Sequence, residues 1–262
     1  MSESHTLRTD KLTLGYDGRT VVEDLNLVVP PGSLTALVGA NGSGKSTILK
    51  ACARLLAPTH GAALLDGASI HAMKSRDVAK RLAILPQDPT APAALTVSEL
   101  VSYGRFPYRN ALGLTSGEDR EAMRAAMEVA DLHGFADRPI GQLSGGERQR
   151  VWIAMTLAQD TEYLLLDEPT ASLDLLHQIE VMDLLVHLNR ERGKTIVVVL
   201  HDLNLAARYA SHMVAIKDGA IRHAGAPAEV MTAERLREVF GIEAEIVHSE
   251  RDGAPLCVAY RR

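Results

Sequence analysis

The segment GANGSGKSTILK, Gly39–Lys50, follows the largely apolar Leu34–Val38 and constrains the fold more than any other stretch. Gly39 is followed by Ala40, Asn41, Gly42 and Ser43, and then by Gly44, Lys45, Ser46 and Thr47. A buried strand, a glycine-rich turn and a helix start in this order predict a strand–loop–helix unit of a parallel α/β sheet. Glycines let the backbone wrap so that successive N–H groups point inward at phosphate oxygens. The helix start adds the positive end of its dipole. Lys45 can reach β- and γ-phosphates, and the Ser46 hydroxyl can ligate Mg²⁺. The spacing predicts a site for a nucleoside triphosphate.

Composition narrows the alternatives. The chain has 262 residues, enough for one large α/β domain or a domain carrying an insertion. Its net charge of −5 offers no global attraction for nucleic acid. The N-terminal MSESHTLRTDKLTL lacks a basic-then-apolar leader pattern. Runs such as TIVVVL at 195–200 are far shorter than the roughly 20 residues of a membrane span. Cys52 and Cys257 have no CxxC spacing and read as reduced thiols. These features predict a soluble, cytoplasmic chain.

Periodicity supplies the organisation. Residues 7–16 and 21–29 read as a strand pair turning at DGR, and Ser46 to Ala57 as a helix stopped by Pro58. A strand at 62–70 turns at Asp66-Gly67, and a short strand covers 82–87. Beyond Asp88 the texture becomes helical, with Thr96 and Glu99 forming a capping box and an amphipathic helix over 117–131. From Val151 strands and helices alternate again: helix 147–158, strand 163–168, helix 175–192, strand 195–201 and helix 202–210, then a strand pair about Asp218-Gly219. The reading is a mostly parallel α/β core, 5–87 and 151–240, with an N-terminal antiparallel β part and a helical insertion over about 88–150. Residues 241–262 form a strand hairpin turning at Asp252-Gly253.

Two further motifs carry chemistry. YLLLDEPT, 163–170, places two acids at the carboxyl end of a buried strand, where ligands bind in parallel sheets. Asp167 suits Mg²⁺, and Glu168 can polarise the water that attacks the γ-phosphorus. LSGGERQR, 143–150, contains a capping box, Ser144 with Glu147. Its hydroxyl and the N–H groups of Gly145 and Gly146 also make an anion site at a helix start. A chain already holding one phosphate loop would offer this second site to a nucleotide on another molecule.

In this order GANGSGKST, LSGGERQR, YLLLDEPT, SLD (172–174) and LHD (200–202) resemble the ATP-binding-cassette (ABC) ATPases over about residues 5–240. The resemblance implies a homodimer in which two cassettes sandwich two ATPs, with Mg²⁺. Each ATP then lies between one P-loop and the partner's Ser144, Gly145 and Gly146. Gln87 corresponds to the glutamine that senses Mg²⁺ and the attacking water, and Asp174 to the D-loop. His201 corresponds to the switch histidine on the γ-phosphate, and Tyr16 to the aromatic stacked on adenine. The remaining histidines read as surface residues.

The segment VSYGRFPYRN, 101–110, gathers Tyr103, Phe106 and Tyr108 in a chain with 4% aromatic residues. It is similar to a segment of ATPases serving importers of ferric siderophores, haem and cobalamin. Residues 150–185 and 199–210 resemble the ferric-siderophore branch most, although Ala171 and Ser172 stand where that branch often has bulkier residues. The resemblance implies an integral membrane permease contacted by the three aromatics, and a substrate-binding protein that meets this chain only through the permease. A soluble repair or translation cassette would bring two cassettes or a coiled coil. A P-loop kinase or GTPase would leave LSGG, Gln87 and His201 unexplained.

Overall fold

The structure, a computed structural model, describes residues 6–109 and 115–260. Asn110, at the end of the aromatic segment, falls outside them. Strands β1 (Leu7–Tyr16) and β2 (Arg19–Leu25) join through Asp17 and Gly18, with φ of 49° and 79°. Two left-handed residues give the turn twist that antiparallel strands need. The strand expected over 21–29 breaks at Asn26, leaving β3 as Val28–Val29 alone. Thr9 bridges the break: its Oγ1 donates to Leu25 O and accepts from Leu27 N, both at 2.8 Å.

β4 (Leu34–Val38) is buried along its whole length and leads to α1 (Lys45–Cys52). The helix stops well before Ala57, because Arg54 turns left-handed at φ 63° and Leu55 N returns to Lys50 O. β5 (His60–Leu65) and β6 (Ala68–Ser69) flank the expected Asp66-Gly67 turn. After α2 (Ser75–Ala79), β7 (Leu82–Leu85) ends two residues short of Gln87, since Pro86 has no N–H to continue a ladder.

Both predicted capping boxes are present. Thr96 opens α3 (Val97–Ser102), which runs into a 3₁₀ turn over Tyr103–Tyr108; α4 (Gly117–Val129) follows with its own box at Ser116. Ser144 caps α5 (Gly145–Ala158). Then come β8 (Tyr163–Asp167), α6 (Leu175–Arg192), β9 (Thr195–Val199) and α7 (Leu203–Tyr209). The chain closes with β10 (His212–Lys217), β11 (Ala220–Gly225), α8 (Pro227–Val230), α9 (Ala233–Phe240), β12 (Glu243–His248) and β13 (Pro255–Tyr260).

These elements form two compact units, one running up to Met73 and resuming at Thr195, the other Lys74–Lys194. In the first, strands follow the order β11-β10-β4-β9, with β10, β4 and β9 parallel and in register at His212↔Thr35 and Leu34↔Ile196. A second sheet, β2-β1-β5-β6, carries β3 beside β1. The hairpin β12–β13 is tied to α7 by Asn204, whose amide accepts from Cys257 N at 2.7 Å and donates to Cys257 O at 3.2 Å.

In the second unit β7 and β8 are parallel, with Leu82 opposite Tyr163. Helices α3, α4 and α5 pack on one another around Leu100, Val101, Ala126, Val151 and Ile153, all buried. Each such leucine or isoleucine contributes about 1.5–3 kcal/mol over its exposed state. Among the described residues no helix is long and apolar enough to cross a membrane.

Candidate functional site

The glycine-rich loop of the first unit takes its shape from three backbone positions that side chains disfavour. Gly39, Gly42 and Gly44 have φ of 156°, 78° and 100°. A Cβ on Gly39 would lie 2.2 Å from Ile216 O, and one on Gly44 2.8 Å from Val22 Cγ2. The loop thus fits against β10 and β2 only without side chains there. Lys45, 5% exposed, folds its amine back over the loop and donates to Gly39 O at 2.9 Å and Ala40 O at 3.0 Å. Ala40, Asn41 and Gly42 face solvent, Ser46 is half-buried, and Ser43 and Thr47 are buried. The loop is formed around the lysine, at the start of α1.

Tyr16 ends β1 opposite Arg19 and is 43% exposed, so one ring face can meet a ligand. His201 lies two residues past β9 rather than ending it, and is exposed. Its neighbour Asp202 is the N-cap of α7, accepting from Asn204 N at 2.8 Å and Leu205 N at 2.9 Å.

In the second unit Asp167 is the last residue of β8 and 2% exposed. Glu168 follows in a left-handed conformation, φ 54°, which costs a non-glycine residue about 1–2 kcal/mol. Gln87, beyond β7, donates from Nε2 to Glu168 Oε2 at 2.9 Å. Gln87 and Glu168, far apart in sequence, are brought together, and the amide orientation leaves Gln87 Oε1 as an acceptor.

Ser144, Gly145 and Gly146 open α5. Ser144 Oγ accepts from Glu147 N at 3.3 Å, and Glu147 returns a carboxylate oxygen to Ser144 N at 2.8 Å. These bonds to Ser144 hold the Glu147 carboxyl below the usual carboxylate range. Gly145 meets open space. Gly146 is buried. A Cβ there would lie 2.3 Å from Cδ2 of His177, a residue the sequence reading assigned to the surface. Asp174, the N-cap of α6, accepts from His177 N at 3.0 Å and pairs with His177 Nδ1 at 2.6 Å. The signal for His177 was its position three residues after an aspartate N-cap.

The three aromatics divide. Tyr103 and Phe106 are 50% and 73% exposed. Tyr108 is half-buried, its ring 3.9 Å from the Arg105 guanidinium and 5.4 Å from the Lys80 amine. Arg105 is buried and pairs with buried Asp119, Nε to Oδ1 at 2.8 Å.

Hydroxyl, carboxylate and amide oxygens from Ser46, Asp167 and Gln87 are hard donors suited to Mg²⁺. Among the described residues no cluster of three or more His, Cys, Asp or Glu could hold a metal.

Comparison with known proteins gives the family. The family model described as ABC transporter matches residues 22–171. The iron(3+)-hydroxamate import ATP-binding protein FhuC of Bacillus subtilis is 52% identical over 98% of this chain and 95% of its own. The ferric enterobactin transport ATP-binding protein FepC of Escherichia coli is 46% identical over 98% and 94%. A dimeric post-hydrolysis structure of the cassette MJ0796 bound to ADP and Pi superposes with a TM-score of 0.74 at 32% identity, covering 84% of this chain and 98% of that one. The chain belongs to the ABC transporter family, as one of its ATP-hydrolysing cassettes.

Proposed function

We propose that this chain powers a bacterial importer of ferric siderophores, working as a homodimer beneath an integral membrane permease. The observation that carries the chemistry is the Gln87–Glu168 hydrogen bond directly after the buried Asp167. Glu168 is the group that orients and deprotonates the attacking water, and Gln87 holds its carboxylate in place. Lys45 exchanges the carbonyls of Gly39 and Ala40 for phosphate oxygens, helped by the backbone N–H groups of 40–47. Ser46, Asp167 and Gln87 are the residues that would hold Mg²⁺, which would supply charge neutralisation for the bound phosphates. His201 hydrogen-bonds the γ-phosphate, and Tyr16 stacks on adenine.

Ser144, Gly145 and Gly146, with Asp174, serve the nucleotide held by the second copy. Tyr103 and Phe106 supply the apolar anchor for the permease, while Tyr108 braces the segment by stacking on Arg105. The cassette spans about residues 5–240, with the hairpin at 241–262 attached to it. Placement at the inner face of the cell membrane follows from the permease, which receives cargo from a substrate-binding protein; nucleic acid has no part. The siderophore assignment rests on the full-length similarity to FhuC and FepC.

Glu168→Gln tests the chemistry. Turnover should fall about 10²–10⁴-fold while a fluorescent ATP analogue still binds; turnover near wild type would overturn the assignment. A deletion strain that lost haem or cobalamin uptake and kept ferric-siderophore uptake would overturn the cargo and leave the ATPase standing.

A further inference from the structure

We propose that His177 is a positioning residue that fastens the D-loop aspartate to the signature glycine, so that both are presented to the partner's nucleotide as one rigid piece. The inference rests on the reading that Ser144–Gly146 and Asp174 serve a nucleotide held by a second copy.

The ring of His177 has two engagements. Its Nδ1–H donates to Asp174 Oδ1 at 2.6 Å, within the first turn of α6. Its opposite edge lies under Gly146: a methyl there would meet Cδ2, Cγ and Nε2 at 2.3, 2.7 and 2.8 Å. The glycine is therefore required by the ring beneath it, since φ at Gly146 lies outside the left-handed region. One turn further along, Arg150 of α5 pairs with Glu180 of α6 at 3.0 Å. Held this way, neither Asp174 nor the α5 amino end can shift without the other. An unfastened loop would have to be ordered each time a nucleotide is engaged, and that ordering entropy would oppose closure.

The helix cap does not depend on the ring. Asp174 accepts from the His177 backbone N–H at 3.0 Å, a bond that survives any substitution of the side chain except proline. His177→Ala therefore removes the fastening and keeps the cap. His177→Asn retains a donor near the Nδ1 position and removes most of the ring.

The test uses the full-length protein, with ATPase kinetics and ATP-driven dimerisation followed by light scattering. His177→Ala should lower kcat about 10-fold and leave KM for ATP within about 2-fold, because the P-loop that binds ATP is untouched. In the Glu168→Gln background it should require about 10-fold more Mg-ATP to dimerise, and His177→Asn, which keeps a donor for Asp174 but loses the ring against Gly146, should give a kcat between those of the Ala variant and the wild type. Wild-type kcat in His177→Ala would overturn the proposal. So would equal losses in the Ala and Asn variants accompanied by a fall in Tm, which a merely structural side chain would give. If Glu168→Gln with native His177 fails to dimerise, alone and with its permease, the shared-nucleotide reading fails instead.

Discussion

Replacing Arg105 by Met would remove one partner of a buried ion pair while keeping an apolar stem of similar length. The guanidinium donates to Asp119 Oδ1 at 2.8 Å and Ala158 O at 2.7 Å, and lies 3.9 Å from the Tyr108 ring. Asp119 is 3% exposed and would be left charged in the packed interior. Breaking such a pair costs about 3–5 kcal/mol. Asp119 keeps two other donors, Ser116 N at 2.9 Å and Ser116 Oγ at 2.8 Å, so the lower end, about 3 kcal/mol, is expected. Urea unfolding at pH 7 should show the midpoint falling by about 1–1.5 M for an m-value of 2–3 kcal/mol/M. The pH dependence adds a second readout. The backbone N–H of Ser116, and then Arg105, hold the Asp119 carboxyl below the usual carboxylate range. Its folded pKa is therefore lower than its unfolded value near 3.9. The stabilisation is present above about pH 4 and lost as pH falls through the folded value. The gap between wild type and Arg105→Met should narrow over that window. A loss under about 1 kcal/mol at pH 7, as for an exposed pair, or a gap constant down to pH 2.5, would refute the reasoning.

Phe106→Ala should leave basal ATPase activity within about 2-fold and abolish most of its stimulation by the permease, since the side chain is 73% exposed; unaltered stimulation in reconstituted transporter would refute the docking role. Alkylation at pH 8 should modify Cys257 and spare Cys52, whose thiol burial pushes up to about 12. Both should react in denaturant, as mass spectrometry of the peptides would show; native-state labelling of Cys52 would mean that its site opens.

Features encoded within four residues were readable in advance. The boxes at Thr96–Glu99 and Ser144–Glu147 formed as spaced, because their hydrogen bonds are local. The turns at Asp17-Gly18, Asp66-Gly67 and Asp218-Gly219 formed because each pair accepts left-handed geometry. Arg54 shows the opposite case: nothing in an arginine announces a left-handed residue, so α1 was expected to run on to Pro58. The Arg105–Asp119 pair and the His177–Gly146 contact are set by helix packing, which no local pattern carries. The role proposed for Glu168 follows from the chemistry of its side chain, but its strained backbone and its bond to Gln87 exist only in three dimensions.

The parallel seating of β4 between β9 and β10 also sets a schedule for biosynthesis. Leu34 finds Ile196, and Thr35 finds His212, only after about 160 more residues have left the ribosome, which at 5–20 residues per second takes on the order of ten seconds. The contiguous stretch Lys74–Lys194 is complete before β9 has been made. Throughout that interval LTALV, the strand that carries the phosphate loop, has neither of its permanent neighbours. Unpaired apolar strand edges are the species that aggregate. Leu34–Val38 thus passes through synthesis with both edges unmatched for a defined window, which closes only when β9 and β10 have been made.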